Sequence, residues 1–74
     1  MIDKECAVAI LMATHNGSQW IDEQIKSIFE QQDVSPNLYV IDDKSTDDTV
    51  EKILKWKARG FSIHIFIQSF IFWQ

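Results

Sequence analysis

Residues 6–13 read Cys-Ala-Val-Ala-Ile-Leu-Met-Ala, eight apolar residues without a polar interruption. The run is short enough for a strand, and it lacks the polar alternation of a strand with one wet face. It predicts a strand covered on both sides, as in parallel sheets flanked by helices. Successive side chains of a strand point opposite ways, so Val8, Ile10 and Met12 face one side while Ala7, Ala9 and Leu11 face the other.

The pattern after this run alternates between helical and strand-like periods. Thr14-His15-Asn16-Gly17-Ser18 is a cluster of turn formers in which Asn16 or Ser18 can cap a following helix. Ile21, Ile25, Ile28 and Phe29 then fall at i, i+4, i+7 and i+8, one stripe of a helix running to about Gln32. Pro36 predicts a loop over 33–37, because proline disfavours helix at the residue before it and cannot donate to a ladder. Leu38 to Asp42 predicts a second strand. Ser45-Thr46-Asp47-Asp48 has the form of a capping box and places a helix start near residue 46. That helix carries Val50, Ile53 and Leu54 as its apolar stripe, and Lys52, Lys55, Lys57 and Arg59 toward its C-terminal end. Gly60 suits a left-handed stop. Phe61 to Ile67 predicts a third strand, followed by an apolar tail through Phe70-Ile71-Phe72-Trp73-Gln74 that is too short to span a bilayer.

Strand, helix, strand, helix, strand with short connections predicts an α/β chain with a three-stranded parallel sheet and two crossover helices, βαβαβ. Parallel crossovers are right-handed. Strands added successively in one direction therefore put both helices on one face and leave the other bare. Because the strands are apolar on both faces, the expectation is a single unit, residues 1–74, that lacks part of its cover and self-associates through the uncovered face or the tail. At 74 residues the chain sits near the lower edge of independent stability.

Composition narrows the partners. A net charge of −4 disfavours nucleic acid and anionic membrane surfaces. The single Cys6 cannot form an internal disulfide, is read as a small buried hydrophobe, and fits a reducing cytoplasm. The acidic start Met1-Ile2-Asp3-Lys4-Glu5 lacks the features of a secretory signal. His64 has no acid or Cys at ligand spacing and reads as structural, and Trp20, Trp56 and Trp73 read as core or rim packing groups.

Ligands of open α/β sheets bind beyond the carboxyl ends of the strands. Two loops lie there: Thr14-His15-Asn16-Gly17 and Asp42-Asp43-Lys44-Ser45-Thr46. No G-x-G-x-x-G follows the first strand and no P-loop motif is present, so the pyrophosphate-cradling loops are absent. An acid at the end of the second strand still has the chemistry to accept from ribose hydroxyls or a ring N–H.

Three segments in order carry a specific resemblance: Val8-Ala9-Ile10-Leu11-Met12-Ala13-Thr14-His15-Asn16-Gly17, then Ser27-Ile28-Phe29-Glu30-Gln31-Gln32, then Val40-Ile41-Asp42-Asp43-Lys44-Ser45-Thr46-Asp47-Asp48-Thr49. Over about residues 6–60 the chain resembles the N-terminal, nucleotide-binding portion of a family 2 glycosyltransferase, with 61–74 as third strand plus tail. The resemblance implies the Rossmann-like first half of a GT-A fold. It also implies a nucleotide-diphosphate sugar of UDP or dTDP type as partner, and transfer of a hexosyl or rhamnosyl group to an acceptor hydroxyl in polysaccharide biosynthesis. The implied setting is the cytoplasm, at the inner membrane face in full-length relatives.

By the same resemblance, Thr14 and Asn16 stand where the family's first loop approaches the nucleotide, and His15 replaces a Tyr whose ring lies by the base. Asp43 matches the carboxylate that accepts from the base N–H, with Asp42 before it at the strand end. Mg²⁺ or Mn²⁺ is expected in full-length relatives on an Asp-x-Asp motif after the fourth strand, and the general base lies further along. No catalytic or metal residue is therefore assigned here, and the chain is expected to be inactive alone. The alternatives are a non-catalytic nucleotide-binding or protein-interaction fragment, and a phosphoacceptor receiver module. The latter fits poorly, because its acidic pair would follow the first strand.

Overall fold

The computed structural model describes residues 6–68. The expectations for Met1–Glu5, Trp73 and the tail Phe70–Gln74 lie outside them, as does the burial of the Cys6 side chain. The elements are β1 (Cys6–Thr14), α1 (Ser18–Phe29), β2 (Val34–Asp43), α2 (Thr49–Ala58) and β3 (Ile63–Gln68). The strands form one parallel sheet in the order β1-β2-β3. The α/β architecture and the βαβαβ order are as the sequence indicates.

Both helices pack on the same side of the sheet. Ile21 and Ile25 of α1 and Ile53 of α2 close over Leu38, Val40 and Ile63, all buried, with Ile10, Met12, Ile28, Phe29, Trp56, Phe61 and Ile65 around them. The predicted α1 stripe is the stripe that packs. On α2 the buried line runs through Thr49 and Ile53 to half-buried Trp56, whereas Leu54 is 44% exposed and does not belong to it.

Several boundaries differ from the sequence-based reading for identifiable reasons. Pro36 lies within β2, opposite Val8 of β1. β3 joins β2 only from Leu38 onward, so at Pro36 one edge of β2 has no neighbour demanding an N–H. α1 stops at Phe29, and Asp33 takes a left-handed φ of 68° as the chain reverses into β2. α2 starts at Thr49, because residues 45–47 bond to the neighbouring loop instead. β3 starts two residues late because Phe61 packs in a cluster, 4.8 Å from the ring of Phe29 and 5.3 Å from that of Trp56. Gly60 has a φ of 105°, the positive value read for the helix stop.

The other face of the sheet has no covering element among the described residues. Leu11, Ile41 and Phe66 are 79, 47 and 59% exposed there. Tyr39 and His64, register partners on β2 and β3, stack at 4.7 Å on the same face. His64 thus does a packing job at the surface. Trp20 is 55% exposed and is no part of the core. Among the described residues no helix is long and apolar enough to cross a membrane.

With so few core residues, each carries a large share of the stability. Ile53→Ala is expected to cost about 2–5 kcal/mol, whereas Leu11→Ser on the bare face should stay within about 0.5 kcal/mol. Urea denaturation of the two variants measures both. Equal losses would show that the bare face is covered after all.

Candidate functional site

The parallel topology delivers the loops after β1 and β2 to one rim. Thr14 and Asp42 are register partners at the ends of their strands, and both point to the helix side. Thr14 Oγ1 donates to Asp42 Oδ1 at 2.6 Å. Ser45 Oγ donates to the same oxygen at 2.6 Å, and the Ser45 N–H to Oδ2 at 3.0 Å. The turn that brings Ser45 back runs through Lys44, at a left-handed φ of 52°. Asp42 has no exposed surface. Burial pushes its carboxyl up, but the hydrogen bonds from Ser45 and Thr14 outweigh burial and hold it below the usual carboxylate range.

A second set of bonds joins the same loops. Asn16, at a φ of 50°, donates its backbone N–H to Ser45 Oγ at 2.8 Å. Its Oδ1 accepts from the N–H of Thr46 at 2.7 Å and of Asp47 at 3.3 Å. His15 Nδ1 lies against the Asp43 carbonyl, which can only accept, so the ring carries its proton on Nδ1 and donates. Nε2 is left as acceptor, 3.5 Å from Asn16 Nδ2.

Asp47 links the two helix starts. Its Oδ1 accepts from the Thr49 N–H at 3.0 Å and from the Thr49 hydroxyl, and its Oδ2 accepts from the Ser18 N–H at 3.2 Å. One carboxylate so meets the positive ends of both helix dipoles. The Thr49 hydroxyl bond, reinforced by the backbone donors, holds this carboxyl below its usual range. The Ser18 hydroxyl donates to Asp48. The capping box read at 45–48 does not form: Asp48 is the N-cap but its side chain makes no bond to the N–H groups of its own helix, and Ser45 is drawn off to Asp42.

All five residues singled out from sequence, Thr14, His15, Asn16, Asp42 and Asp43, meet at this rim. The hydroxyl of Thr14, the amide oxygen of Asn16 and the carboxylate of Asp42 are occupied in joining the loops. His15 and Asp43 are exposed. By strand alternation Asp43 points to the face opposite Asp42, and its carboxylate has no hydrogen-bond partner among the described residues. Ser45 and Asp47 were missed as site-building residues, though the Asp42-x-x-Ser45 spacing is that of a side chain closing its own turn. Two clefts lie elsewhere, one along the outer side of β1 and one between the helices, and neither is bordered by these rim residues.

The rim does not fit a divalent cation. The oxygens of Asp42 and Asp47 already accept N–H and O–H donors, and among the described residues no three His, Cys, Asp or Glu side chains come together as ligands.

The pH dependence of stability follows from the direction of the Asp42 shift. A carboxyl held lower in the folded chain than its unfolded value of about 3.9 leaves the unfolded state binding more protons between the two values. Its contribution is present above that value and lost as pH falls through the folded one. Stability is expected to be level near neutrality and to fall below about pH 4. Asp42→Asn should lower neutral-pH stability by about 1–3 kcal/mol, since an amide cannot accept from all three donors, and should flatten the acid limb. Urea midpoints across pH measure both effects.

Residues 9–70 match the family described as glycosyl transferase family 2. Over 39 residues, 53% of the chain, it is 56% identical to the dTDP-rhamnosyl transferase RfbG of Shigella flexneri, of which this stretch covers 14%. The fold is similar to that of the mannosyltransferase PcManGT from Pyrobaculum calidifontis, solved in complex with GDP-Man and Mn²⁺, with a TM-score of 0.78 at 18% identity. That likeness covers 97% of this chain and 22% of the other. The matched stretches thus span under a quarter of either relative's length. A match from residue 9 to residue 70, running through every strand and both helices, shows that the chain belongs to glycosyl transferase family 2.

Proposed function

We propose that this chain binds the nucleotide of a UDP- or dTDP-type sugar donor, as the N-terminal portion of a transferase that passes the sugar to an acceptor hydroxyl. The observation that carries the reading is the division of labour at the rim. Thr14, Asn16, Asp42 and Ser45 lock the two loops together, which leaves the His15 ring and the Asp43 carboxylate exposed, with the His15 ring bonded to the Asp43 backbone carbonyl. Asp43 accepts from the ring N–H of uracil or thymine, and the His15 ring stacks on the base. Thr14, Asn16 and Asp42 serve the nucleotide by fixing the loop that presents those groups. The relative named as a dTDP-rhamnosyl transferase and the neighbour holding GDP-Man support a nucleotide-sugar ligand.

Turnover would require the additional chain that the longer relatives carry.

Titration with UDP and dTDP, followed by amide chemical shifts, tests the proposal. Asp43→Ala should weaken binding at least about tenfold, equivalent to about 1.4 kcal/mol, whereas His15→Tyr should retain it. Unchanged affinity in Asp43→Ala removes that residue from the site, and no binding by the unaltered chain overturns the reading.

A further inference from the structure

We infer that the cleft between α1 and α2 is a binding site for a small phosphate-bearing anion, separate from the rim. Lys52, Lys55, Trp56 and Arg59 recur at i, i+3, i+4 and i+7, so they share one side of α2. With Asp22 of α1 they line an open cleft of about 500 Å³. Four of the seven basic residues fall between positions 52 and 59, in a chain whose net charge is −4. The helix dipole accounts for cations near the end of α2, but not for their alignment on one side. Lys57, in the same stretch, is off this line and donates to the Ile63 carbonyl at 2.9 Å.

The single acid of the cleft is already met. Asp22 accepts from Trp56 Nε1 at 2.8 Å and lies 3.8 Å from Lys52 Nζ, which also donates to the Ser18 carbonyl. Arg59 lies over the ring of Trp56 at 4.5 Å and near that of Phe61 at 5.6 Å. Stacking of this kind fixes the guanidinium plane while leaving its N–H fork available for two oxygens of one ligand. Among the described residues neither Arg59 nor Lys55 has a carboxylate partner. The surplus is therefore two positive charges on a pre-positioned aromatic wall, the complement of a phosphate group. The negative charge of the chain as a whole repels an extended polyanion but not a small one. Asp43 points to the opposite face of the sheet, so a ligand here does not share its groups.

The test is a ¹H–¹⁵N NMR titration of the labelled chain with inorganic phosphate and then pyrophosphate, against sodium chloride at matched ionic strength. Saturable shifts of the Trp56 indole N–H and the Arg59 side-chain N–H are expected with the phosphates only. Lys55→Gln combined with Arg59→Gln should weaken them at least about tenfold, with amide dispersion confirming the fold, while Lys26→Gln on α1 leaves them unchanged. Equal shifts with chloride, retention of binding in the double variant, or binding to phosphatidic acid vesicles without any response to free phosphate would overturn the assignment.

Discussion

Burying a carboxylate is costly unless its lone pairs are met, and the rest of the rim depends on how Asp42 is satisfied. Its partners come from two loops nearly thirty residues apart in sequence: the Thr14 hydroxyl at the end of β1, and the hydroxyl and N–H of Ser45 beyond β2. Separating the loops would leave a charge buried and unmet, so they behave as one unit. Strand alternation then gives the adjacent acid the opposite role. Asp42 is consumed by the scaffold, and Asp43, one residue on, is exposed on the other face.

The same economy governs the helices. Among the described residues the three-stranded sheet with helices on one side buries only six hydrophobic residues fully, too few to fix every loop by packing. Polar bonds supply the remaining order. Asp47 ties the first turns of α1 and α2 to each other, Asn16 ties the first loop to the second, and Lys52 returns from α2 to the Ser18 carbonyl. The rim is thereby fixed at the end of the sheet away from the bulk of the apolar core.

Element order, strand direction and the shared side of the helices were legible in the sequence, because hydrophobic period and crossover handedness suffice to determine them. The errors arose where a local template met a distant partner. Pro36 argues against a strand only if both edges must be paired, and where β3 begins is not visible from residues 33–37. Ser45 fits a capping box perfectly well until a buried acid three residues earlier takes its hydroxyl. The two rim loops could be named, since strand ends converge, and the family resemblance picked out five of their residues, but neither sorted them into scaffold and exposed groups. That sorting rests on contacts such as Thr14 with Asp42 and Asn16 with Thr46, which exist only once the sheet has formed.

Charge placement adds a constraint on any diphosphate sugar at this rim. Asp42, Asp43, Asp47 and Asp48 crowd the loop, an arrangement that would repel a diphosphate if all were bare. Two of them are not: donors around Asp42, and the paired helix starts around Asp47, take up much of their charge. The remaining field favours a ligand whose neutral, hydrogen-bond-donating end meets Asp43, while its anionic end turns away from the second loop. Lys44, exposed between Asp43 and Ser45, is the cation adjoining that path. Under the proposed reading, a base bound at Asp43 would therefore be oriented by repulsion of its diphosphate as well as by contact. Lys44 is the one cation among the four acids of residues 42–48, so neutralising a diphosphate held as proposed would also draw on groups beyond this loop.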